Sequence, residues 1–272
     1  MEHDKLEDSL HAPLSEHEHK RESVLRTTAS YIIVTEFCER LAYYGFAGSL
    51  VLFFETELNM SNADSVNAFY LWNGAVYVTP LLGGYIADTY LGRYNTILLF
   101  AIMYIVGLGS VLGGAIPGHV SIALFFTGMY IVALGAGGIK PNCSTMGADQ
   151  FDISIPQDEK ESKQFFSYFY WSINLGAVFA YTLVAYICQY GLPFLGGKSW
   201  GFFVGYSIPT IALILGVGVF MMGSDKYKKF SPSGSMVSVA CGIFWQAGIT
   251  RNGKAKQQYG ALHWLDSASL EY

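Results

Sequence analysis

The chain has 272 residues, of which 16 are Lys or Arg and 21 Asp or Glu, so charged side chains make up 14% against about 25% in a typical soluble domain. With 52% hydrophobic residues it is no disordered chain, and an ordinary soluble enzyme is a poor fit. A net charge of −5 offers no basic excess for nucleic acid, and Cys38, Cys143, Cys188 and Cys241 are too scattered for a disulfide framework or a structural zinc site.

In chain order, residues 1–28 are polar and lack the apolar core of a signal peptide, which predicts a disordered cytosolic tail. Its histidines, His3, His11, His17 and His19, have no fixed ligand spacing and read as solvated rather than metal-binding. Six largely apolar stretches follow, near 29–54, 67–87, 96–116, 120–141, 165–190 and 202–222. Each is long enough to cross a hydrocarbon core about 30 Å thick at about 1.5 Å per residue. They are apolar or Gly-rich all round rather than striped, as lipid-embedded helices are. Residues 29–222 are therefore expected to form a six-helix transmembrane bundle in an all-α membrane protein. Residues 223–272 are expected to form a cytoplasmic linker, in which the apolar piece 236–249 is too short to cross and should lie at the interface.

Orientation follows from the basic residues. Of the 16, Arg40 and Lys140 fall inside spans and Lys198 lies alone on one side, which leaves 13 on the other, the side of both termini. That side is read as cytoplasmic. The sequon at Asn59 then faces outside and the one at Asn142 inside.

Charges inside a membrane helix are rare and usually line a pathway or pair with one another. The first span carries Glu36, Glu39 and Arg40. Helical geometry sets Glu36 and Arg40 about 40° apart and Glu39 about 60° to the other side, and Tyr43 and Tyr44 continue the stripe. With Lys140 of the fourth span they make two acids and two bases, neutral when all are ionised. One reading is an ion-pair lock that fixes packing. The other is a proton-sensing set, because two carboxylates beside one arginine leave one titratable.

The string Glu36-Phe37-Cys38-Glu39-Arg40, followed by Tyr43-Tyr44-Gly45, resembles the ExxER motif of the proton-coupled oligopeptide transporters, a family that includes plant nitrate and peptide transporters. Tyr77-Val78-Thr79-Pro80 with Gly83-Gly84, Ala87-Asp88 and Gly92-Arg93-Tyr94 is similar to that family's version of the major facilitator loop. The stretch from Gly135 to Pro141, then Gly147-Ala148-Asp149-Gln150-Phe151, resembles its fourth-span signature, and Phe169 to Gly176 its fifth.

The resemblance implies a major facilitator fold of two six-helix halves, of which this chain would be the amino-terminal half-bundle. It implies proton-coupled symport, with Glu36, Glu39, Arg40 and Lys140 coupling protons to substrate, Tyr43, Tyr44, Tyr77 and Asn174 lining the substrate pocket, and Asp88 and Arg93 in an inside-facing latch. It implies neither cofactor nor metal. The expected partners are the lipid bilayer, a small peptide or small anionic solute with protons, and the missing carboxy-terminal half or a full-length relative. Bacterial peptide members often carry Arg where this chain has Ala47, and animal members carry a His early in the second span, where Tyr70 to Gly74 offers none; Trp72-Asn73-Gly74 looks plant-like. Di- and tripeptides are the first substrate reading, nitrate or another small anion the second. A different class of reading is a truncated, non-transporting half that docks on and regulates a full-length relative. No enzyme is expected, since no span offers a Ser/His set, a paired aspartate or a metal-ligand set. The membrane, plasma or vacuolar/lysosomal, stays open.

Overall fold

The computed structural model describes residues 22–232 together with Gly234 and Gly242. The interfacial segment expected at 236–249, and the tail histidines, lie outside the described residues. Among the described residues every regular element is helical. In chain order these are α1 (Ser30–Ala47), α2 (Leu50–Thr56), α3 (Asn62–Ile86), α4 (Gly92–Gly114), α5 (Ile122–Ala148), α6 (Pro156–Phe179), α7 (Ala185–Tyr190) and α8 (Gly201–Met222). Wide, π-type turns at Leu25–Ala29, Ala87–Leu91 and Ala180–Val184 extend or join them.

Among the described residues, four helical runs are long and apolar enough to cross a membrane: Asn62–Gly114, Ile122–Ala148, Pro156–Tyr190 and Lys198–Met222. The first has 53 residues, about 80 Å of helix and far more than one crossing needs. Gly92, at φ 72°, divides it into α3 and α4, since only a residue without a Cβ adopts that conformation readily. α1 is not among the four because Glu36, Glu39 and Arg40 interrupt its apolar sequence.

Several ends depart from the sequence-based spans, each for a local reason. Helical geometry starts at Val24, inside the expected tail, because Glu161 on α6 accepts a hydrogen bond from the Leu25 N–H at 2.9 Å. The first stretch breaks at Gly48 and Ser49; a Cβ on Gly48 would lie 2.8 Å from the Tyr181 ring. α3 begins earlier than residue 67 because Ser61 caps it, its Oγ accepting the Asp64 N–H at 3.2 Å, as N-cap serines do. α5 continues past Pro141, beyond which Asn142 Nδ2 donates to Gly138 O at 2.7 Å and Gly83 O at 3.3 Å.

Two groups of three long helices make the core. In one, α5 packs on α4 and α3; in the other, α1 packs on α8 and α6. Small residues set both crossings, as in membrane bundles where backbones must approach closely. A Cβ on Gly128 of α5 would fall 2.7 Å from the Val111 nitrogen of α4, and one on Gly216 of α8 would fall 2.6 Å from the Cys38 Cβ of α1. At one end an aromatic plug joins the groups: Phe125 of α5 meets Phe46 of α1 at 6.3 Å and Tyr206 of α8 at 6.1 Å, and Phe53 of α2 stacks on Phe125 at 4.0 Å. At the other end Tyr94 of α4 stacks on Phe220 of α8 at 5.2 Å.

Candidate functional site: a buried charge triad beside an open tyrosine face

The middle of α1 holds the charges. Arg40 Nε lies 3.0 Å from Glu36 Oε1 one helical turn back, and its Nη2 pairs with Glu39 Oε2. All three are buried, Glu39 completely. The i,i+4 spacing of Glu36 and Arg40 makes the first contact a property of the helix itself. The second fixes the guanidinium between both acids. Cys143 on α5 is a side-chain hydrogen-bond partner of Glu36. Among the described residues Glu36 Oε2 and Glu39 Oε1 have no hydrogen-bond partner, nor does the hydroxyl of the fully buried Tyr104. Two acids on one arginine leave the triad one unit negative when all are ionised.

Lys140 is not a fourth member by contact. Its Nζ sits 3.6 Å from the centre of the Tyr43 ring and 5.4 Å from that of Tyr77, within cation–π range, and it makes no ion pair within 4.0 Å among the described residues. The expected four-charge cluster is thus a triad and a lysine, with Tyr43 beside both: the Arg40 guanidinium carbon lies 5.7 Å from the same ring. Tyr43 donates its hydroxyl to Asn73 Oδ1 at 3.1 Å and stacks on the buried Trp72. Asn73 is a site residue that the sequence reading quoted only as part of a motif.

From Tyr43 an aromatic face opens outward. Tyr44 packs on Tyr43 at 5.2 Å and on Tyr181 at 5.6 Å. Tyr77 is 70% exposed. Asn174 is exposed on α6, where its Nδ2 donates to Tyr170 O at 2.8 Å, which leaves Oδ1 as an acceptor. Tyr181 joins the face without having been singled out in sequence, because the wide turn Ala180–Val184 that positions it leaves no periodicity signal.

A second polar cluster lies at the α3–α4 turn. Arg93 pairs with Asp149 at the end of α5, not with Asp88, and the Asp88 carbonyl accepts the Gly234 N–H at 3.1 Å. The segment after α8 is strapped across this turn. Gln150 holds its backbone twice, accepting the Lys228 N–H at 2.8 Å and donating to Lys228 O at 3.2 Å. Lys229 Nζ lies 4.0 Å from the centre of the Tyr94 ring. A cavity of about 300 Å³ remains between Asp88, Arg93, Asp149 and the strap. Among the described residues no group of three or more His, Cys, Asp or Glu could hold a metal ion.

Comparison with known proteins places these features. A family model described as PTR2, the POT family, matches residues 94–272. Solute carrier family 15 member 2 of Danio rerio is 36% identical over 247 residues, 89% of this chain and 34% of the relative. Protein NRT1/PTR FAMILY 8.1 of Arabidopsis thaliana is 40% identical over 220 residues, 75% of this chain and 37% of the relative. The crystal structure of the POT family transporter PepTSo superposes with a TM-score of 0.72 at 31% identity, over 83% of this chain and 43% of that one. The chain thus spans well under half the length of each of these proteins. With the family model covering well over half of its residues, the chain belongs to the POT family, a family of membrane transporters and not of enzymes.

Proposed function

We propose that this chain forms the amino-terminal six-helix bundle of a proton-coupled symporter of di- and tripeptides, with six crossings and both termini in the cytosol. The observation that carries the reading is the juxtaposition of a buried, charge-unbalanced Glu36–Arg40–Glu39 triad with an open face of tyrosines. A group that gains and loses a proton is useful to a transporter only beside the place where substrate binds. Tyr43 supplies that link, since its ring meets Lys140 and Arg40 and its hydroxyl reaches Asn73. Phenols and the Asn174 amide can hydrogen-bond a peptide backbone without selecting a side chain. The exposure of Tyr77 and Asn174 is what a surface facing a second bundle shows, and alternating access needs two bundles rocking about a midplane site.

Here Glu36, Glu39, Arg40 and Lys140 couple the proton, Tyr43, Tyr44, Tyr77 and Asn174 bind substrate, and Asp88, Arg93 and Asp149 form the inside latch. Glu36 and Glu39 each keep one oxygen without a hydrogen-bond partner among the described residues, and Glu39, the more deeply buried of the two, is the acid we assign to the moving proton. The test is uptake by the active assembly, normalised to protein at the surface. Glu39→Gln should abolish accumulation driven by a proton gradient while exchange of labelled dialanine without a gradient persists. Undiminished accumulation per folded molecule would remove the proton-coupling role, and failure of dialanine but not nitrate to compete would reassign the substrate to a small anion.

A further inference from the structure

A serine or threonine precedes proline at two places in the chain, Thr79-Pro80 and Ser231-Pro232. Thr79 is buried in α3 and donates its hydroxyl to Ala133 O at 2.8 Å. Ser231 is exposed, in the irregular backbone of the strap after α8. A serine followed by proline suits one class of enzyme. Proline carries no N–H, so the residue after the serine can enter an apolar kinase pocket without leaving a backbone donor unpaired.

The strap holds Ser231 between two contacts with the α3–α4 turn. Before it, the Phe230 carbonyl packs on Gly92, where a Cβ would lie 3.0 Å from that oxygen. After it, the Gly234 N–H donates to Asp88 O at 3.1 Å. Ser231 and Pro232 line the cavity of about 300 Å³ beneath the strap. A kinase takes its substrate as a free extended segment several residues long, so a strap pinned on both sides of Ser231 must open locally before the serine can react.

Charge decides what the modification then does. The segment 223–232 carries Lys226, Lys228 and Lys229 against Asp225, three bases to one acid, a net +2. Facing it across the cavity are Asp88, Asp149 and Arg93, a net −1, with Arg93 already engaged by Asp149. The opposite signs add to the hold of the hydrogen bonds. A phosphoserine brings about −1.5 to −2, which cancels the charge of the strap.

We propose that Ser231 is the phosphorylation site of a proline-directed protein kinase, and that its phosphate frees the strap from the α3–α4 turn. Ser231 Oγ attacks the γ-phosphorus of ATP; this O–P bond forms as the bond to the ADP oxygen breaks, and the hydroxyl proton passes to the aspartate base of the kinase. The proposal rests on the cytosolic orientation given above, because ATP and such kinases are on that side.

The test uses the full 272-residue chain in detergent micelles with ATP and a purified mitogen-activated protein kinase. Mass spectrometry locates the phosphate, and hydrogen exchange is followed over 228–234 before and after the reaction. Ser231 should be modified, Ser231→Ala should leave the strap without phosphate, and Gln150→Ala should react at least about fivefold faster than the wild type, because its strap opens more often. Phosphorylation should speed exchange at the Lys228 and Gly234 amides at least about twofold at low salt, the low end for cancelling two surface charge attractions, and high salt should shrink the difference. Absence of phosphate at Ser231 in both the wild type and Gln150→Ala would remove the site. Equal reaction rates in those two proteins would overturn the gating by the strap. Unchanged or slower exchange after modification would overturn the release, the slower rate showing that Arg93 exchanges Asp149 for the phosphate and locks the strap down. Micelles impose no sidedness and no transport is measured, so this result stands apart from the orientation and from uptake.

Discussion

The Tyr43 ring is where three lines of chemistry meet, and two substitutions separate them. Tyr43→Phe removes the hydroxyl and its 3.1 Å bond to Asn73 but keeps the ring under Lys140. The loss of one neutral hydrogen bond predicts a change in stability of about 1 kcal/mol. Tyr43→Leu also removes the cation–π contact and leaves the Lys140 ammonium without its ring partner, so it should lower the thermal midpoint of the purified protein by clearly more than Tyr43→Phe. Equal midpoints would show that the ring contact contributes nothing. The Glu36–Arg40 contact was legible in sequence, because one helical turn separates the two residues whatever the rest of the chain does. The position of Lys140 was not. It depends on how α5 lies against α1, and net neutrality favours a four-charge cluster just as well as the observed lysine on an aromatic ring.

Among the elements, the α4–α5 crossing and the strap after α8 give contrasting expectations. Gly128 sits where a Cβ would meet the Val111 nitrogen at 2.7 Å, and backbone there cannot yield as a side-chain tip can. Gly128→Val should therefore destabilise by at least the 1–3 kcal/mol typical of overpacking, read as a lower thermal midpoint, whereas Gly109→Ala on the facing α4, with open space around it, should not lower it. The strap is held by hydrogen bonds at its base, so Gln150→Ala should loosen it without unfolding the bundle. Trypsin cleavage after Lys228 and Lys229 should then rise at least about fivefold, the expectation for losing two hydrogen bonds worth at least about 0.5 kcal/mol each. An unchanged cleavage rate would mean that Lys229 on Tyr94 and the buried Tyr227 hold the strap unaided.

Element boundaries show which signals the sequence carried. The apolar cores of the spans were plain, because lipid contact demands continuous hydrophobicity. The polar first turns of α3, capped by Ser61, and of α6, opened by Pro156, were not, since polar turns look like loops in a hydropathy reading. The break at Gly48 and Ser49 went unread for the opposite reason: the residues on both sides stay apolar, and it is only Ser49, at φ −114° and ψ 3°, that leaves helical geometry.

At the scale of the whole molecule, the charge asymmetry that gives the proposed orientation makes a prediction that needs no substrate. Asn59 and Ser154 are both exposed and lie in loops at opposite ends of the bundle, Asn59 between α2 and α3 and Ser154 between α5 and α6. Of the native thiols described, Cys143 and Cys188 are buried and Cys38 is partly so, which keeps their background labelling low against a parallel wild-type control. A membrane-impermeant maleimide should therefore label Asn59→Cys on intact cells and Ser154→Cys only after permeabilisation. The basic residues dictate this order: Lys160 and Lys163 follow Ser154, and Arg93 sits on the same side, where insertion retains positive charge. The acids Glu55, Glu57 and Asp64 flank Asn59 without any Lys or Arg between residues 41 and 92. Labelling of Ser154→Cys on intact cells would invert the bundle. It would put the Arg93–Asp149 pair and the strap outside.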